Sequence, residues 1–266
     1  MELGNLIARG RTADLYELPE NRVLKLFYDW VSPEAINKEY EVSRRVFQAR
    51  LPVPQVFDVV DLESHTGIIY EKIQGTTMLS MLAKKPWQVA QHSRVMAELH
   101  HMIHQVKVDE SSTYHDQWFR NIERVPDLSE EVKQKLIAQV KQLPNDNCLC
   151  HFDFHPDQVI YTEKGPIILD WLTAEIGHPA ADVARTQILI TIGKPPDASI
   201  GMQLLAILLG KVANFYYQQH YLALNPSLNR EIIQRWLAPL AAVRLLEKVP
   251  GEEPALMKII QKFMNA

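Results

Sequence analysis

The chain has 266 residues, of which 47% are hydrophobic, so it is long and apolar enough to bury a large core in one domain or in two small lobes. Its formal net charge of -4 and its pI near 6.2 give no sign of the basic face that nucleic-acid binding requires. The start of the chain lacks the pattern of a signal peptide, and no apolar run approaches the ~20 residues that span a bilayer, so we expect a cytoplasmic protein that binds neither nucleic acid nor membrane.

The first residues of the chain predict a small antiparallel sheet. Three short apolar runs, separated by turn residues, read as strands over residues 3–8, 15–18 and 23–27. Lys25 lies in the middle of the third strand and shares a face with Val23 and Phe27, because side chains alternate between the two faces of a strand. A cation beside two large apolar side chains requires an anionic partner or a phosphate.

A helix is predicted to follow, from Pro33 to about Ala49. Ser32 is a typical capping residue, and a proline is well tolerated in the first helical turn. The predicted buried stripe consists of Ile36, Tyr40, Ser43 and Phe47. Glu39 lies on the same face, where an unpaired carboxylate would cost several kcal/mol. We therefore expect Glu39 to pair with Lys25; the alternative is a half-exposed acid and a lysine that extends to solvent.

The pattern changes near residue 75. Another hairpin is predicted over residues 56–72, and beyond Thr77 the chain is helical apart from one hairpin. The helices of this part are predicted around a core stripe from Val89 to Ile103, after the capping residue Ser129 as far as Leu143, and over residues 198–221, 230–247 and 253–263. His100 and His104 flank the first stripe and are expected to be hydrogen-bonded core histidines and not ligands. We predict an N-terminal lobe of residues 1–74 and a C-terminal lobe of residues 75–266.

Polar chemistry is concentrated in the segment CLCHFDFHPDQVIYTEKGPIILDW, residues 148–171. Its second half reads as strand, turn and strand, and because paired strands lie about 5 Å apart, we expect Asp153, Gln158 and Asp170 to gather at the open end of this hairpin. Carboxylate and amide oxygens suit Mg²⁺, so Gln158 and Asp170 are predicted metal ligands. Asp153 is set apart by the FHP segment, in a place where it can accept a proton from an attacking hydroxyl.

The motif HFDFHPDQ, followed by IILDW and GHPAADVAR, resembles the aminoglycoside phosphotransferase and choline kinase family over nearly the whole chain. The spacing of His151, Asp153 and Gln158 is that of the kinase catalytic loop, with glutamine where that pattern has asparagine. The resemblance implies an α+β, two-lobed protein-kinase-like fold, with a small N-terminal antiparallel sheet and one helix before a larger, mostly helical lobe. It also implies transfer of the γ-phosphate of ATP or GTP, with Mg²⁺, to a hydroxyl of a small molecule.

The resemblance also implies roles for individual residues. Asp153 would be the catalytic base and Gln158 and Asp170 the metal ligands. The N-terminal lobe would bind the nucleotide through the Lys25–Glu39 pair, through Gly10 and Thr12 over the phosphates, and through backbone groups of Glu71 and Ile73 against the adenine. Asp182 would brace the catalytic loop, or else it is an ordinary acid at the start of a helix. The loop at Gly10 is otherwise a plain hairpin turn.

Two other functions are compatible with the sequence. The first is a metal-dependent hydrolase that uses His151, Asp153, His155 and Asp170, because imidazole and carboxylate together suit a transition metal. The second is a nucleotide-binding protein that transfers nothing, which the glutamine at position 158 suggests. For the favoured kinase, an aminoglycoside, a sugar or an amino alcohol would serve as acceptor.

The sequence also contains aromatic and cysteine side chains whose roles can be predicted. The aromatic side chains of Tyr114, Trp118 and Phe119 either face an acceptor pocket or pack in the core. Cys148 and Cys150 are expected to be buried, reduced thiols, because they alternate along a strand.

Overall fold

A computed structural model of the chain describes residues 3–62, 65–108, 114–193 and 200–265. The chain folds as two units, and each is built from two stretches of sequence. The first comprises Met1–Met81 and Asp157–Ala174, and the second comprises Leu82–Pro156 and Glu175–Ala266. The hairpin predicted after the catalytic loop therefore belongs to the same unit as the N-terminal sheet. The lobe boundary after residue 74 stays a prediction.

The elements are numbered in chain order. The strands of the described residues are β1 Leu6–Arg9, β2 Ala13–Leu18, β3 Arg22–Phe27, β4 Val56–Leu62, β5 His65–Glu71, β6 Thr76–Thr77, β7 Cys148–Cys150, β8 Val159–Thr162, β9 Gly165–Ile168 and β10 Glu175–Gly177. The α-helices are α1 Pro33–Gln48, α2 Met78–Lys84, α3 Val89–His104, α4 Tyr114–Glu123, α5 Glu130–Lys141, α6 Pro179–Ile192, α7 Ile200–Leu224, α8 Arg230–Leu245 and α9 Glu253–Met264. Short 3₁₀ turns occur at Pro86–Gln88 and Pro156–Gln158.

The first unit contains an antiparallel sheet in the order β1-β2-β3-β5-β4, with α1 packed against β4 and β5. On the α1 side, Phe27 of β3 packs with Ile36 of the helix and Ile68 of β5. Leu24 of the same strand packs on the opposite side, in a cluster with Leu18 and Ile69. The alternation along β3 therefore points Lys25 towards α1, as the sequence predicted.

Helix α1 begins where it was predicted to begin. Its N-cap Ser32 accepts a hydrogen bond from the N–H of Ala35. The residues that it buries are Ile36, Glu39, Ser43 and Val46. Phe47 is 42% exposed, so its predicted place in the stripe was wrong. The buried arc is centred between Glu39 and Ser43, and at about 100° per residue Val46 lies nearer to that centre than Phe47 does.

A second sheet of the first unit has the order β6-β8-β9. Strands β8 and β9 pair from Val159 opposite Ile168 to Thr162 opposite Gly165, which confirms the predicted hairpin. Gly165 has a φ of 118°, a conformation that favours glycine in a tight turn. Since this pairing is antiparallel, the residues just before β8 and just after β9 lie at the same end of the hairpin.

The second unit is mainly helical, with β7 and β10 as its two-stranded sheet. Helix α3 packs against α7, and its predicted core positions Val89, Met96, Leu99 and Ile103 are all buried. The later helices start and end within a few residues of their predicted limits, where the structure describes those limits. Helix α6, of which the sequence indicated only the start, is buried along most of its length.

The predicted fold class is confirmed. A small antiparallel sheet with one helix forms the N-terminal part, and the C-terminal part consists mostly of helices. None of the helices among the described residues has the length and apolar character needed to cross a membrane.

Candidate functional site

Lys25 is the centre of a charged cluster in the first unit. Its Nζ lies 2.7 Å from Oε1 of Glu39 and 2.8 Å from Oδ1 of Asp170, and it donates a hydrogen bond to each. The predicted pairing of Lys25 with Glu39 is thus confirmed as a contact. The direct ion pair with Asp170 was not foreseen. Lys25 therefore lies between two carboxylates.

Burial and charge act in opposite directions on these groups. Burial lowers the pKa of Lys25, but the carboxylates of Asp170 and Glu39 outweigh it and raise that pKa above its ordinary value. Burial raises the pKa of Glu39, and the ammonium of Lys25 opposes this rise. Lys25 is therefore charged at neutral pH, and the stability of ionised Glu39 depends on it.

A tyrosine supports the glutamate from the sheet. The hydroxyl of Tyr70 donates a hydrogen bond of 3.0 Å to Oε1 of Glu39, and Ser43 Oγ lies 3.1 Å from the same hydroxyl. Burial, and after it the charge of Glu39, raises the pKa of Tyr70 well above its ordinary value, so the hydroxyl keeps its proton. Sequence reasoning missed Tyr70, because its place depends on the register that sets it opposite Val23.

Gln158 and Asp170 flank the β8–β9 hairpin. The N–H of Leu169 donates to the carbonyl of Gln158 at 2.9 Å, so the two ends of the hairpin meet as predicted. Asp170 has a φ of 61°, which turns the chain sharply as it leaves β9. The Asp170 side chain is 35% exposed, so solvent reaches it.

These two residues fit a hard cation by their chemistry. A carboxylate and a carboxamide offer the oxygen ligands that Mg²⁺ prefers, and Mg²⁺ takes only one or two protein carboxylates together with water and phosphate. Their predicted role as metal ligands stays a prediction.

The predicted nucleotide-binding residues Gly10 and Thr12 lie in the turn between β1 and β2, where some of their backbone groups already form hydrogen bonds. The N–H of Gly10 donates to Ala13 O at 2.9 Å, and the carbonyl of Thr12 accepts from Tyr28 N at 3.0 Å. The Gly10 N–H is therefore occupied, and it can meet a phosphate only if this turn opens. The role of Gly10 and Thr12 stays a prediction.

The predicted adenine contacts lie at the end of β5. The N–H of Glu71 donates to Gln55 O at 2.8 Å, so that this group is not available to a base. Ile73 follows in a stretch outside the strands and helices. The role of Glu71 and Ile73 stays a prediction.

The first part of the catalytic-loop motif, residues 151–156, lies in the second unit, directly after β7. His151 is fully buried, and its Nδ1 accepts a hydrogen bond from the N–H of Asp153 at 3.3 Å. Phe152 has a φ of 57°, a left-handed conformation that is strained for a residue with a bulky side chain. The Phe152 ring is buried and packs near Trp118, with ring centroids 6.1 Å apart. The packing interpretation of Trp118 is therefore correct, while the side chain of Tyr114 lies outside the described residues.

Helix α6 holds the backbone of this loop. Asp182 accepts hydrogen bonds from the N–H of His151 and, at 2.8 Å, from the N–H of Phe152. Arg185 Nε donates to the carbonyl of Phe152 at 3.1 Å. Thr186 follows with a bond of 2.9 Å from its hydroxyl to Phe154 O. Asp182 lies in the first helical turn and also braces the loop, so both interpretations of this residue are confirmed.

Two histidines complete the surroundings of Asp182. His100 Nε2 lies 2.9 Å and His104 Nε2 3.2 Å from Asp182 Oδ2. The hydroxyls of Tyr217 and Tyr221 lie within hydrogen-bonding distance of the two Nδ1 atoms. Because a carboxylate only accepts, His104 carries its proton on Nε2, and its Nδ1 accepts from Tyr221. The prediction of hydrogen-bonded core histidines is confirmed.

This histidine cluster resembles a metal site in composition alone. Ligand atoms of His100, His104 and Asp182 lie within 4.8 Å of one another, but all three residues are buried, and both ring nitrogens of His104 and both oxygens of Asp182 already form hydrogen bonds. Burial, and then the neighbouring His100, lowers the pKa of His104 to about 4, so it is neutral at neutral pH. Burial raises the pKa of Asp182, but the histidines outweigh it and hold that pKa well below its ordinary value.

Asp153 remains ionised over the physiological range. Burial raises its pKa, yet the hydrogen bond and charge of His155, followed by the charges of Arg185 and His151, lower it to about 2. His155 Nε2 lies 3.7 Å from Asp153 Oδ2. The carboxylate is therefore an acceptor for a proton at any pH above about 4.

The arrangement argues against the hydrolase alternative. His151 is completely buried, with one ring nitrogen used by the Asp153 N–H and its ring 5.7 Å from that of Phe154. Because Nδ1 accepts this hydrogen bond, the proton of the neutral ring is on Nε2, so neither nitrogen offers a lone pair to a metal ion.

The fold and these groups define a phosphotransferase of the protein-kinase-like class. The profile of the family described as "Phosphotransferase enzyme family" matches residues 5–219, which is most of the chain. The chain belongs to this family, and the predicted resemblance is confirmed. None of the curated protein sequences compared with the chain matches it.

Solved structures of the same fold include kinases of small molecules. A type VIII aminoglycoside-3'-phosphotransferase has a TM-score of 0.62 and 16% identity, with 90% of this chain and 91% of that chain covered. The choline kinase LicA of Streptococcus pneumoniae has a TM-score of 0.60 and 13% identity, with 100% and 87% covered. An aminoglycoside phosphotransferase in a ternary complex with streptomycin and ATP has a TM-score of 0.56 and 15% identity, with 100% and 92% covered. At these identities the likeness is one of fold.

Proposed function

We propose that the protein transfers the γ-phosphate of ATP, with Mg²⁺, to a hydroxyl of a small molecule such as an aminoglycoside, a sugar or an amino alcohol. The observation that carries the proposal is the buried ion pair of Lys25 with both Glu39 and Asp170, in a chain of a phosphotransferase family. A protein kinase holds the nucleotide with a strand lysine that is paired with a helix glutamate, and holds the metal with an aspartate. The streptomycin and ATP of one structural relative and the choline kinase activity of another support a nucleotide donor and a small acceptor.

Asp153 is the group we assign to the acceptor hydroxyl. Phosphoryl transfer passes through a loose transition state, so the acceptor needs orientation and a late proton acceptor more than a strong base. A carboxylate with a pKa of about 2 is a weak base but is permanently ionised, which suits that task. The brace of α6 fixes the backbone on which it is carried.

Gln158 and Asp170 are the residues we assign to the metal. Mg²⁺ held by these residues would supply positive charge that stabilises the transferred phosphate and the leaving group. The side chain of glutamine is one methylene longer than that of asparagine, and the oxygen is the same in kind. We therefore regard Gln158 as a ligand and not as a sign of an inactive protein.

The remaining nucleotide contacts are assigned within the first unit. Lys25 contacts the phosphates, and Glu39 and Tyr70 hold its ammonium in place. Gly10 and Thr12 cover the phosphates once their turn opens, and the base lies against the backbone of Glu71 and Ile73.

Two buried free thiols, Cys148 and Cys150, suit a reducing compartment such as the cytoplasm.

The direct test is transfer of labelled γ-phosphate from ATP to a panel of aminoglycosides, sugars and amino alcohols, with Mg²⁺ and with EDTA. We expect at least one acceptor class to be labelled, and only when the divalent ion is present. The variant Gln158→Asn should transfer with a rate similar to that of the wild type. Tight ATP binding without labelling of any acceptor, in both wild type and Gln158→Asn, would instead support a nucleotide-binding protein without transferase activity.

A further inference from the structure

A row of buried and partly buried charges in the second unit ends on the catalytic loop. Arg185, which is 5% exposed, donates through Nε to the carbonyl of Phe152 at 3.1 Å. Its guanidinium also forms an ion pair with Glu247, which follows the end of α8. The Phe152 carbonyl directly precedes Asp153. Through Arg185, Glu247 is therefore linked to the catalytic loop, although it lies 94 residues after Asp153 in the sequence.

The row continues into the turn between α8 and α9. Arg244 forms an ion pair with Glu247 and a bidentate pair with Glu252, at 2.7 Å from Nε to Oε2 and 2.9 Å from Nη2 to Oε1. Arg244 and Glu252 are both buried. Cations and anions alternate from Arg185 to Glu252, so each buried charge has a partner of opposite sign. We call Arg185, Arg244, Glu247 and Glu252 the charge row.

The outer part of the charge row lies beyond the family match. That match ends at residue 219, whereas Arg244, Glu247 and Glu252 all come later. A buried ion pair is a poor source of stability, because well-packed apolar side chains of similar volume often do as well or better. Such a pair instead fixes the orientation of the guanidinium. Because this group is planar, a carboxylate bound on one side determines the direction in which its other N–H groups point.

The loop requires this direction at one residue in particular. Phe152 has a positive φ of 57°, which a residue other than glycine adopts only if the surroundings impose it. Asp182 fixes its N–H and Arg185 fixes its carbonyl, so the peptide groups on both sides of the strained residue are held. The carboxylate of Asp153 takes its position from that second peptide group.

We propose that the charge row is a positioning device for Asp153, in which Glu247, fixed by Arg244 and Glu252, holds Arg185 against the Phe152 carbonyl. The inference rests on the proposed function, because it takes Asp153 as the acceptor of the substrate proton. It makes Arg244, at the end of α8, and Glu247 and Glu252, between α8 and α9, positioning residues and not catalytic ones. Loss of the Glu247 charge leaves Arg185 free to turn away from the loop.

The variant to test is Glu247→Gln, which keeps the shape of the side chain and removes its charge. Glu247 is only partly buried, with 34% of its side chain exposed, so the variant is expected to fold. We expect kcat for ATP turnover to fall roughly 10- to 100-fold while the KM for ATP changes less than about twofold, because a displacement of about 1 Å has an effect of this size. Glu247→Asp should recover part of the rate.

The matched control is Glu253→Gln, the same change at an exposed residue next to Glu252. A second readout, independent of activity, is amide hydrogen exchange in the segment 151–156. Glu247→Gln should speed exchange there about tenfold or more, as expected for a lost hydrogen bond from a charged donor, with the α3 amides unchanged. Glu253→Gln should change neither the rate nor the exchange.

The outcomes separate this inference from the proposed function. A wild-type protein without phosphate transfer would overturn the proposed function, and the exchange of residues 151–156 would still decide whether the charge row positions the loop. Exchange in Glu247→Gln equal to that in Glu253→Gln would overturn the inference. So would a lower melting temperature with kcat unchanged, because the charge row would then be purely structural.

Discussion

The charged cluster around Lys25 and the network around Asp182 are built from similar groups but differ in their exposure to solvent. Lys25 faces two carboxylates, one of which, on Asp170, is about one-third exposed. Asp182 is 0% exposed and accepts from two backbone N–H groups and from His104, and His100 Nε2 lies 2.9 Å from its Oδ2. We expect the partly exposed cluster to be the one that a ligand can reach, whereas the closed, buried network fixes the backbone.

The largest losses of stability should come from two substitutions, of which the first, Asp182→Asn, opens the closed network. The amide nitrogen would meet histidine and backbone donors with another donor, so we expect the free energy of unfolding to fall by about 3–5 kcal/mol. Urea denaturation measures it, with the exposed Asp127→Asn as the control. A loss below about 1 kcal/mol would show that the network is not needed for stability.

The same comparison predicts that Lys25→Met lowers the free energy of unfolding by an amount that depends on pH. Removal of the ammonium leaves Glu39 as an unpaired buried carboxylate, and the expected loss is about 3–5 kcal/mol at pH 8. At pH 5 the loss should be smaller, because Glu39, whose pKa is already raised by burial, can take up a proton. Urea unfolding at the two pH values tests this, and an equal loss at both would be inconsistent with a buried charge on Glu39.

Acidification should weaken the closed network through His104. Its pKa in the folded chain is about 4, whereas a histidine in the unfolded chain titrates near about 6.5, so between these values the unfolded state binds more protons. Stability is therefore present above pH 6.5 and is lost as the pH falls to 4, by as much as about 3 kcal/mol. His104→Gln should flatten this dependence in urea titrations at several pH values. An unchanged slope would assign the effect to another group.

A smaller effect on the free energy of unfolding is expected for Tyr70→Phe in the cluster around Lys25. One hydrogen bond to the Glu39 carboxylate is lost while the Lys25 ion pair remains, which suggests a loss of about 1–2 kcal/mol. The KM for ATP should rise less than about threefold. Calorimetry and steady-state kinetics measure the two values. A loss as large as that of Lys25→Met would mean that Tyr70, not Lys25, holds the glutamate.

Local patterns predicted part of this site. Strand alternation and helix periodicity each place one residue on a buried face, and the requirement to pair buried charges then joins Lys25 to Glu39. The β8–β9 hairpin followed from turn residues between two short apolar runs, and with it the approach of residues 158 and 170. These predictions needed only neighbours in sequence or one physical constraint.

Contacts set by tertiary packing were not predictable. Lys25 and Asp170 are 145 residues apart, and no periodicity relates them. The histidines of α3 were expected to be satisfied, but their partners are on α6 and α7, and the charge row joins three separate helical segments. Glutamates and arginines at this spacing look like ordinary surface charges, since only the packing of helices removes them from water.

The proposed phosphotransferase activity is tested most directly by Asp153→Asn in a single-turnover measurement of γ-phosphate transfer, together with the Kd for ATP. The variant should lower the transfer rate by roughly 10² to 10⁴, because the acceptor hydroxyl loses its proton acceptor, while the Kd for ATP stays within about twofold of the wild type. Transfer at the wild-type rate would contradict the role of Asp153 and the function built on it.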